Sequence, residues 1–175
     1  MKETWTPKVA MGLGGLMALV ALISLMPRVI AGDSATVNVL ANVVGTCKFN
    51  TSSATLNFGT LDPASGVDVN ATTSLEFWCT KNATYSITDD NGQNESGTTN
   101  RLKHASLAEY IPYTYCYTSS GPAPTPCPSD TSSDGGSGQG KSSPITLSIS
   151  GTILGTDYIN ASAGLYSDTV TMSIT

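Results

Sequence analysis

The sequence predicts an all-β chain, an incomplete immunoglobulin-like antiparallel β-sandwich. Three observations carry this. Thr, Ser, Gly, Val and Asn dominate while the helix-favouring Glu, Lys, Arg and Gln are scarce, a mix suited to strands and turns. Short stretches alternate apolar and polar side chains, about seven of them after the leader, with turn residues between and no helical periodicity. Both ends of the exported part are alternating strands with no evident partner.

The leader is residues 1–31. Lys2 and Lys8 flank Trp5 in a positive head, Val9 to Met26 is uncharged and apolar, and "VIAG" supplies small residues for cleavage after Ala31 or Gly32. This is the pattern of a signal peptide, although an apolar run of eighteen residues could also be retained as an anchor. Removing residues 1–31 takes the formal net charge from −5 to −7. So acidic a chain cannot neutralise many phosphates, which makes nucleic acid and anionic membrane poor partners. What remains suits one domain, residues 46–175, preceded by an extension at 32–45.

In "DSATVNVLANVVGTC", Val37, Val39, Ala41 and Val43 fall at every second position, a strand with one face meant for burial. "CKF" and "TLNFGTL" (55–61) follow as short alternating pieces, and "TTSLEFWCTKN" puts Leu75, Phe77 and Cys79 on one side. "ATYSITDDNGQN" continues through Tyr85 and Ile87 to a turn at Asp90-Asn91-Gly92. "EYIPYTYCYT" lines up Ile111, Tyr113, Tyr115 and Tyr117, with Pro112 confined to an edge or a strand start because it cannot donate to a ladder. Residues 119–144 are crowded with Pro, Gly and Ser and almost free of apolar side chains, which predicts a long flexible loop stapled only by Cys127. "ITLSISGTIL" resumes the alternation at Ile145, Leu147 and Ile149, and "GLYSDTVTMSIT" closes with Val170, Met172 and Ile174 on one face.

All four cysteines lie after the leader, and an even count in an exported chain reads as disulfides. Of the three pairings, Cys47 with Cys79 and Cys116 with Cys127 is favoured; zinc is a weak rival without a CxxC pair. No catalytic residue, metal site or cofactor is indicated. His104 is the only histidine and reads as a surface residue, and Asp89 and Asp90 are better explained by a turn than by acid–base work. "DDNGQNE" fails the calcium-loop template because its glycine is fourth rather than sixth. The tyrosine row is either half a core or a platform for stacking sugars.

An immunoglobulin-like sandwich wants one strand more after 169–175. Without it the sheet keeps an apolar slot and unpaired backbone groups, ordinarily an aggregation hazard. A spare strand from the next molecule would turn that hazard into ordered polymerisation. The pieces "LNFGTLDP", "SLEFWCTKNATYSITDDNGQN", "RLKH", "IPYTYCYT" and "GLYSDTVTMSIT", in this order, resemble the spore coat protein U domain family, which includes subunits of archaic chaperone-usher pili. The more specific parts are Gly164, Tyr166 and Asp168 in a G-x-Y-x-D element and the spacing from the Val37 strand to Cys47. The long 119–144 segment with its cysteines departs from the family pattern.

The resemblance implies an incomplete immunoglobulin-like subunit completed by a donor strand from a neighbouring subunit: it is exported to the periplasm, held there by a pilus chaperone, and passed through an outer-membrane usher into an extracellular homopolymer that supports adhesion or biofilm formation. Carried over by position, Val37, Val39, Ala41 and Val43 are the donor plugs, and Val170, Met172 and Ile174 line the acceptor groove. Cys47–Cys79 is then the family's disulfide. The competing reading is a monomeric secreted or membrane-anchored binding module whose first strand pairs with its own last.

Overall fold

Nine strands and one short helix are laid out along a computed structural model that describes residues 32–175; the leader lies outside the described residues. In chain order they are β1 (Cys47–Phe49), β2 (Val69–Cys79), β3 (Thr84–Asp89), β4 (Asn100–His104), β5 (Tyr110–Thr118), β6 (Asp134–Ser137), β7 (Ile145–Ile153), α1 (Gly155–Tyr158), β8 (Tyr166–Ser167) and β9 (Met172–Ile174). One sheet has the order β1-β2-β7-β5-β4-β8 and the other β6-β3-β9. Every pairing is antiparallel.

The two sheets face each other across one core. Leu75 and Phe77 of β2, Tyr113, Tyr115 and Tyr117 of β5, and Leu147 and Ile149 of β7 come from the first sheet; Tyr85 and Ile87 come from the second. Phe77 meets Tyr85 edge-on with ring centroids 5.0 Å apart, an arrangement the ring quadrupoles favour. The tyrosine row is therefore core: Tyr113, Tyr115 and Tyr117 are all buried, which leaves no stacking platform. Pro112 sits opposite Arg101 of β4, in the part of β5 that precedes its pairing with β7, so its missing N–H breaks no ladder.

Both disulfides of the favoured pairing are present. Cys47 and Cys79 are direct cross-strand partners with Cα atoms 4.0 Å apart, and Cys116–Cys127 closes an eleven-residue separation. The turn after β3 places Asn91 and Gly92 at positive φ (56° and 82°).

Three expectations fail. "TLNFGTL" is not a strand: the Asn57 side chain accepts the Gly59 amide (2.9 Å) and Gly59 takes φ 72°, which together bend the chain out of any ladder. Leu56 and Phe58 still point at the core. Segment 119–144 is not a featureless loop. It forms β6 against β3 and packs over β7, where the Ala123 amide donates to Ser148 Oγ (2.9 Å), Ser150 Oγ donates to the Pro124 carbonyl (2.5 Å) and the Cys127 amide donates to Thr152 Oγ1 (2.8 Å). His104 is buried rather than on the surface.

Residues 32–40, described by themselves, carry no strand and are exposed throughout. Residues 41–175 form one compact unit, of which 41–46 are likewise exposed and outside any strand.

Candidate functional site

The last twelve residues organise the site. The chain runs along the first sheet in β8, paired to β4 through Lys103↔Ser167 and His104↔Tyr166, and by Met172 has crossed to pair with β3. The G-x-Y-x-D element holds this crossing. At Gly164 an added Cβ would collide with the His104 ring. That ring cannot move aside easily, since Nδ1 accepts the amides of Ser106 (3.1 Å) and Leu107 (3.0 Å) while Nε2 lies 3.3 Å from the Ala163 carbonyl. Tyr166 packs edge-on against His104 and donates to Glu109 Oε1 (2.9 Å), which also accepts the Ser162 amide (2.7 Å). Those bonds from Ser162 and Tyr166 hold the Glu109 carboxyl below its ordinary range.

Asp168 completes the element. Its carboxylate accepts Tyr113 Oη (2.8 Å), the Asn94 amide (3.2 Å) and Asn94 Nδ2 (2.9 Å). Burial and the Asp168 contact both push the Tyr113 phenol well above its ordinary value, so it remains a donor.

Beyond Asp168 the backbone alternates its partners. Thr169 accepts the Gln93 amide (3.1 Å), the Thr171 amide donates to Asp90 Oδ1 (2.8 Å), and Thr175 exchanges both bonds with Ser86 (2.9 Å each). The odd-numbered residues thus face β3 and its turn. Residues of an antiparallel strand point their N–H and C=O groups to alternate sides, so those of Val170, Met172 and Ile174 face the free edge. Their side chains meanwhile pack against the core. Asp90 is shaped by the same ladder: partial burial raises its pKa, but the bonds from Thr171 and Gly92 outweigh that and leave it below the ordinary value.

Beside this free edge lies a groove of about 600 Å³. Residues 168–172 form one wall and 51–58 the other, over a floor of Leu75, Tyr113, Tyr115 and Ile149. It adjoins a second hollow of about 760 Å³ that shares Leu56, Phe58, Leu102 and Asp168 and continues beneath residues 161–167. Of the expected groove residues, Val170 and Met172 line it; Ile174 stands one step further, opposite Ile87. Met172 is fixed there by a bond from Tyr115 Oη to its Sδ (3.4 Å). The opposite wall, Leu56 and Phe58, escaped the sequence reading of the groove. Their alternation was the available signal, apolar residues in an extended piece with no strand to join.

The expected donor plugs are all solvent-exposed: Val37, Val39, Ala41 and Val43, with Val39 at 87 %. Leu40 and Val44, on the other face of the same alternation, are exposed as well. Apolar residues this open in a row are unusual for a finished surface. Among the described residues no group of three or more His, Cys, Asp or Glu is placed to hold a metal ion.

Comparison with known proteins supplies a family. Protein U of Myxococcus xanthus is 30% identical over 171 residues, spanning 90% of this chain and 93% of its own. Two solved structures superpose loosely. One is the CsuC–CsuE chaperone–tip adhesion subunit pre-assembly complex from archaic chaperone-usher Csu pili of Acinetobacter baumannii (TM-score 0.48, 14% identity, 75% of this chain). The other is a chaperone–tip adhesin complex of CFA/I fimbriae (TM-score 0.46, 16% identity, 75% of this chain). This chain spans 40% and 41% of the length of those two chains. The Spore Coat Protein U domain matches residues 33–173, nearly all of the described residues, and the chain belongs to that family.

Proposed function

We propose that this protein is the structural subunit of an extracellular filament, polymerised by inserting residues 34–43 of one molecule into the groove of the next. The observation that carries the reading is the coexistence of two unsatisfied halves. An alternating apolar segment is exposed, and a groove with Leu56, Phe58, Leu75, Tyr113, Tyr115 and Ile149 in its lining is bordered by a segment whose Val170, Met172 and Ile174 backbone groups face outward. Each supplies what the other lacks, side chains for a slot and a ladder for an edge.

The energetics suit a persistent junction. Full burial of one valine side chain is worth about 1.5–3 kcal/mol, and each backbone hydrogen bond adds about 1 kcal/mol. Three valines, an alanine and a short ladder therefore outweigh the ordering of ten residues only when the groove is dry and the register correct. A one-residue slip would bury Asn38 and Asn42 instead of the valines, so the groove rejects it. Neither a cofactor nor ATP is needed.

Before assembly the same open groove is an aggregation hazard, which calls for a periplasmic chaperone that lends a temporary strand and an outer-membrane usher that exchanges it for the donor of another subunit. The product is a homopolymer on the cell surface, serving adhesion or biofilm formation. Deleting Ser34 to Val43 should leave a folded, exported domain that no longer forms SDS-resistant ladders in unheated gels. Ladders formed by the deletion variant would overturn the reading.

A further inference from the structure

The five Lys and Arg residues of 32–175 are not spread evenly. Lys48, Lys81 and Lys141 gather around Trp78 on the outer side of the β1–β2 edge. Lys48 is the direct cross-strand partner of Trp78, the Lys141 ammonium stands 5.7 Å from the centre of its ring, and Lys81 follows three residues after Trp78, where a Cβ added at Gly140 would stand 3.9 Å from the Lys81 Cβ. All three lysines are exposed and the indole is half-buried. Glu76 shares this face of β2 and is the acid that accompanies them. The cluster stands at the root of the donor segment, where the Thr80 amide donates to the Thr46 carbonyl (2.9 Å).

Opposite charge stands behind the 168–172 wall of the groove, whose own lining includes Asp168. The end of β3 carries Asp89, paired with Met172, and the turn after it carries Asp90 and Glu95, with Asn94 of that turn bonded to Asp168. Arg101 is the cation at that turn, and its guanidinium is engaged by the carbonyls of Asn94 (2.8 Å) and Glu95 (3.2 Å) and by the Tyr110 ring. Lys103 lies further along β4, opposite Ser167. Every ladder in the fold is antiparallel. A donor that follows suit runs against 168–174, so its C-terminal end and the root behind it arrive beside the acidic turn.

From this placement we infer a second contact at each junction: the Lys48–Lys81–Lys141 face around Trp78 of one subunit docks on the Asp89–Glu95 turn of the subunit that accepts its donor strand. This contact rests on the donor-strand reading, and it adds a selectivity that four small apolar plugs cannot supply. Opposite charges at the rim steer a correct neighbour into place before the strand is threaded, and like charges turn away a reversed approach. The occupant is a second copy of this chain, because the acidic partner surface is its own.

Zero-length carbodiimide cross-linking of assembled full-length mature chain, followed by peptide mass spectrometry, tests it. Cross-links should join Lys48, Lys81 or Lys141 of one subunit to Asp89, Asp90 or Glu95 of another. The triple variant K48E/K81E/K141E keeps the donor and the groove; it should lose those cross-links and assemble about tenfold more slowly at low salt, with the difference closing as salt screens the charges. Filaments that form without these cross-links, or that link these lysines to other carboxylates, overturn the contact and leave the donor-strand reading standing. A full chain that makes no filaments overturns both.

Discussion

Gly164 and Gly92 are glycines for different reasons, and each reason predicts a cost. At Gly164 the space for a Cβ is filled by the His104 ring, which two backbone amides hold in place. At Gly92 the chain has φ 82° and a Cβ would run into the Asp168 carboxylate. Gly164→Ala should therefore destabilise the domain by about 1–3 kcal/mol, the usual penalty for overpacking, and Gly92→Ala by at least as much, read from urea denaturation. Wild-type stability in either variant would show that the 164–168 crossing is not tightly clamped. Glu109 gives a pH signature. Its pKa is lowered by the bonds from Ser162 and Tyr166, so its stabilisation is present above the unfolded value near 4.5 and is lost as pH falls through the folded value. Glu109→Gln should accordingly differ from wild type at neutral pH and converge with it in acid; a constant gap down to pH 2 would remove the ionic part of that contact. His104 shows why this cluster was hard to read in advance. A lone histidine beside Lys103 resembles a surface residue, and only the return of residues 106 and 107 onto its ring makes it a fixture.

The elements were legible where alternation and pairing coincide, and not where other forces order the chain. β2, β3, β5 and β7 follow the apolar period because each buries one face against the opposite sheet. "TLNFGTL" has the same period but no neighbour to pair with, so its residues wall the groove without forming a ladder. Segment 119–144 is ordered mainly by hydroxyl and amide bonds to Ser148, Ser150 and Thr152, which leave no trace in a hydrophobic pattern. The Cys116–Cys127 disulfide fastens this segment. Replacing both cysteines by serine should cost about 3 kcal/mol by the chain-entropy estimate for so short a loop, measured as a lower melting temperature. Because the segment packs away from the lining of the groove, the variant should still assemble at temperatures where it stays folded. Loss of assembly by folded variant would tie the segment to polymerisation.

At the scale of the whole molecule, the proposed junction makes its predictions through the exposed 34–43 segment and the 168–175 edge. Val39→Asp places a charge in the middle of the plug row and should abolish ladder formation while leaving the domain's own unfolding within about 0.5 kcal/mol, as for other exposed positions. A synthetic peptide of residues 33–43 added to the deletion variant should raise its melting temperature in proportion to the logarithm of peptide concentration. The apolar alternation at each end was legible in the sequence, but only the fold shows how the second segment is exposed. Odd residues of 169–175 are satisfied by β3 and its turn, and even ones are turned outward. Hydrogen–deuterium exchange of the 168–175 peptide is the sharpest probe of that difference. In filaments the amides of Val170, Met172 and Ile174 should become protected, while in the Ser34–Val43 deletion variant they exchange fast beside slow neighbours at Thr171 and Thr175. Equal exchange of those three amides in filament and deletion variant would contradict strand insertion at this edge.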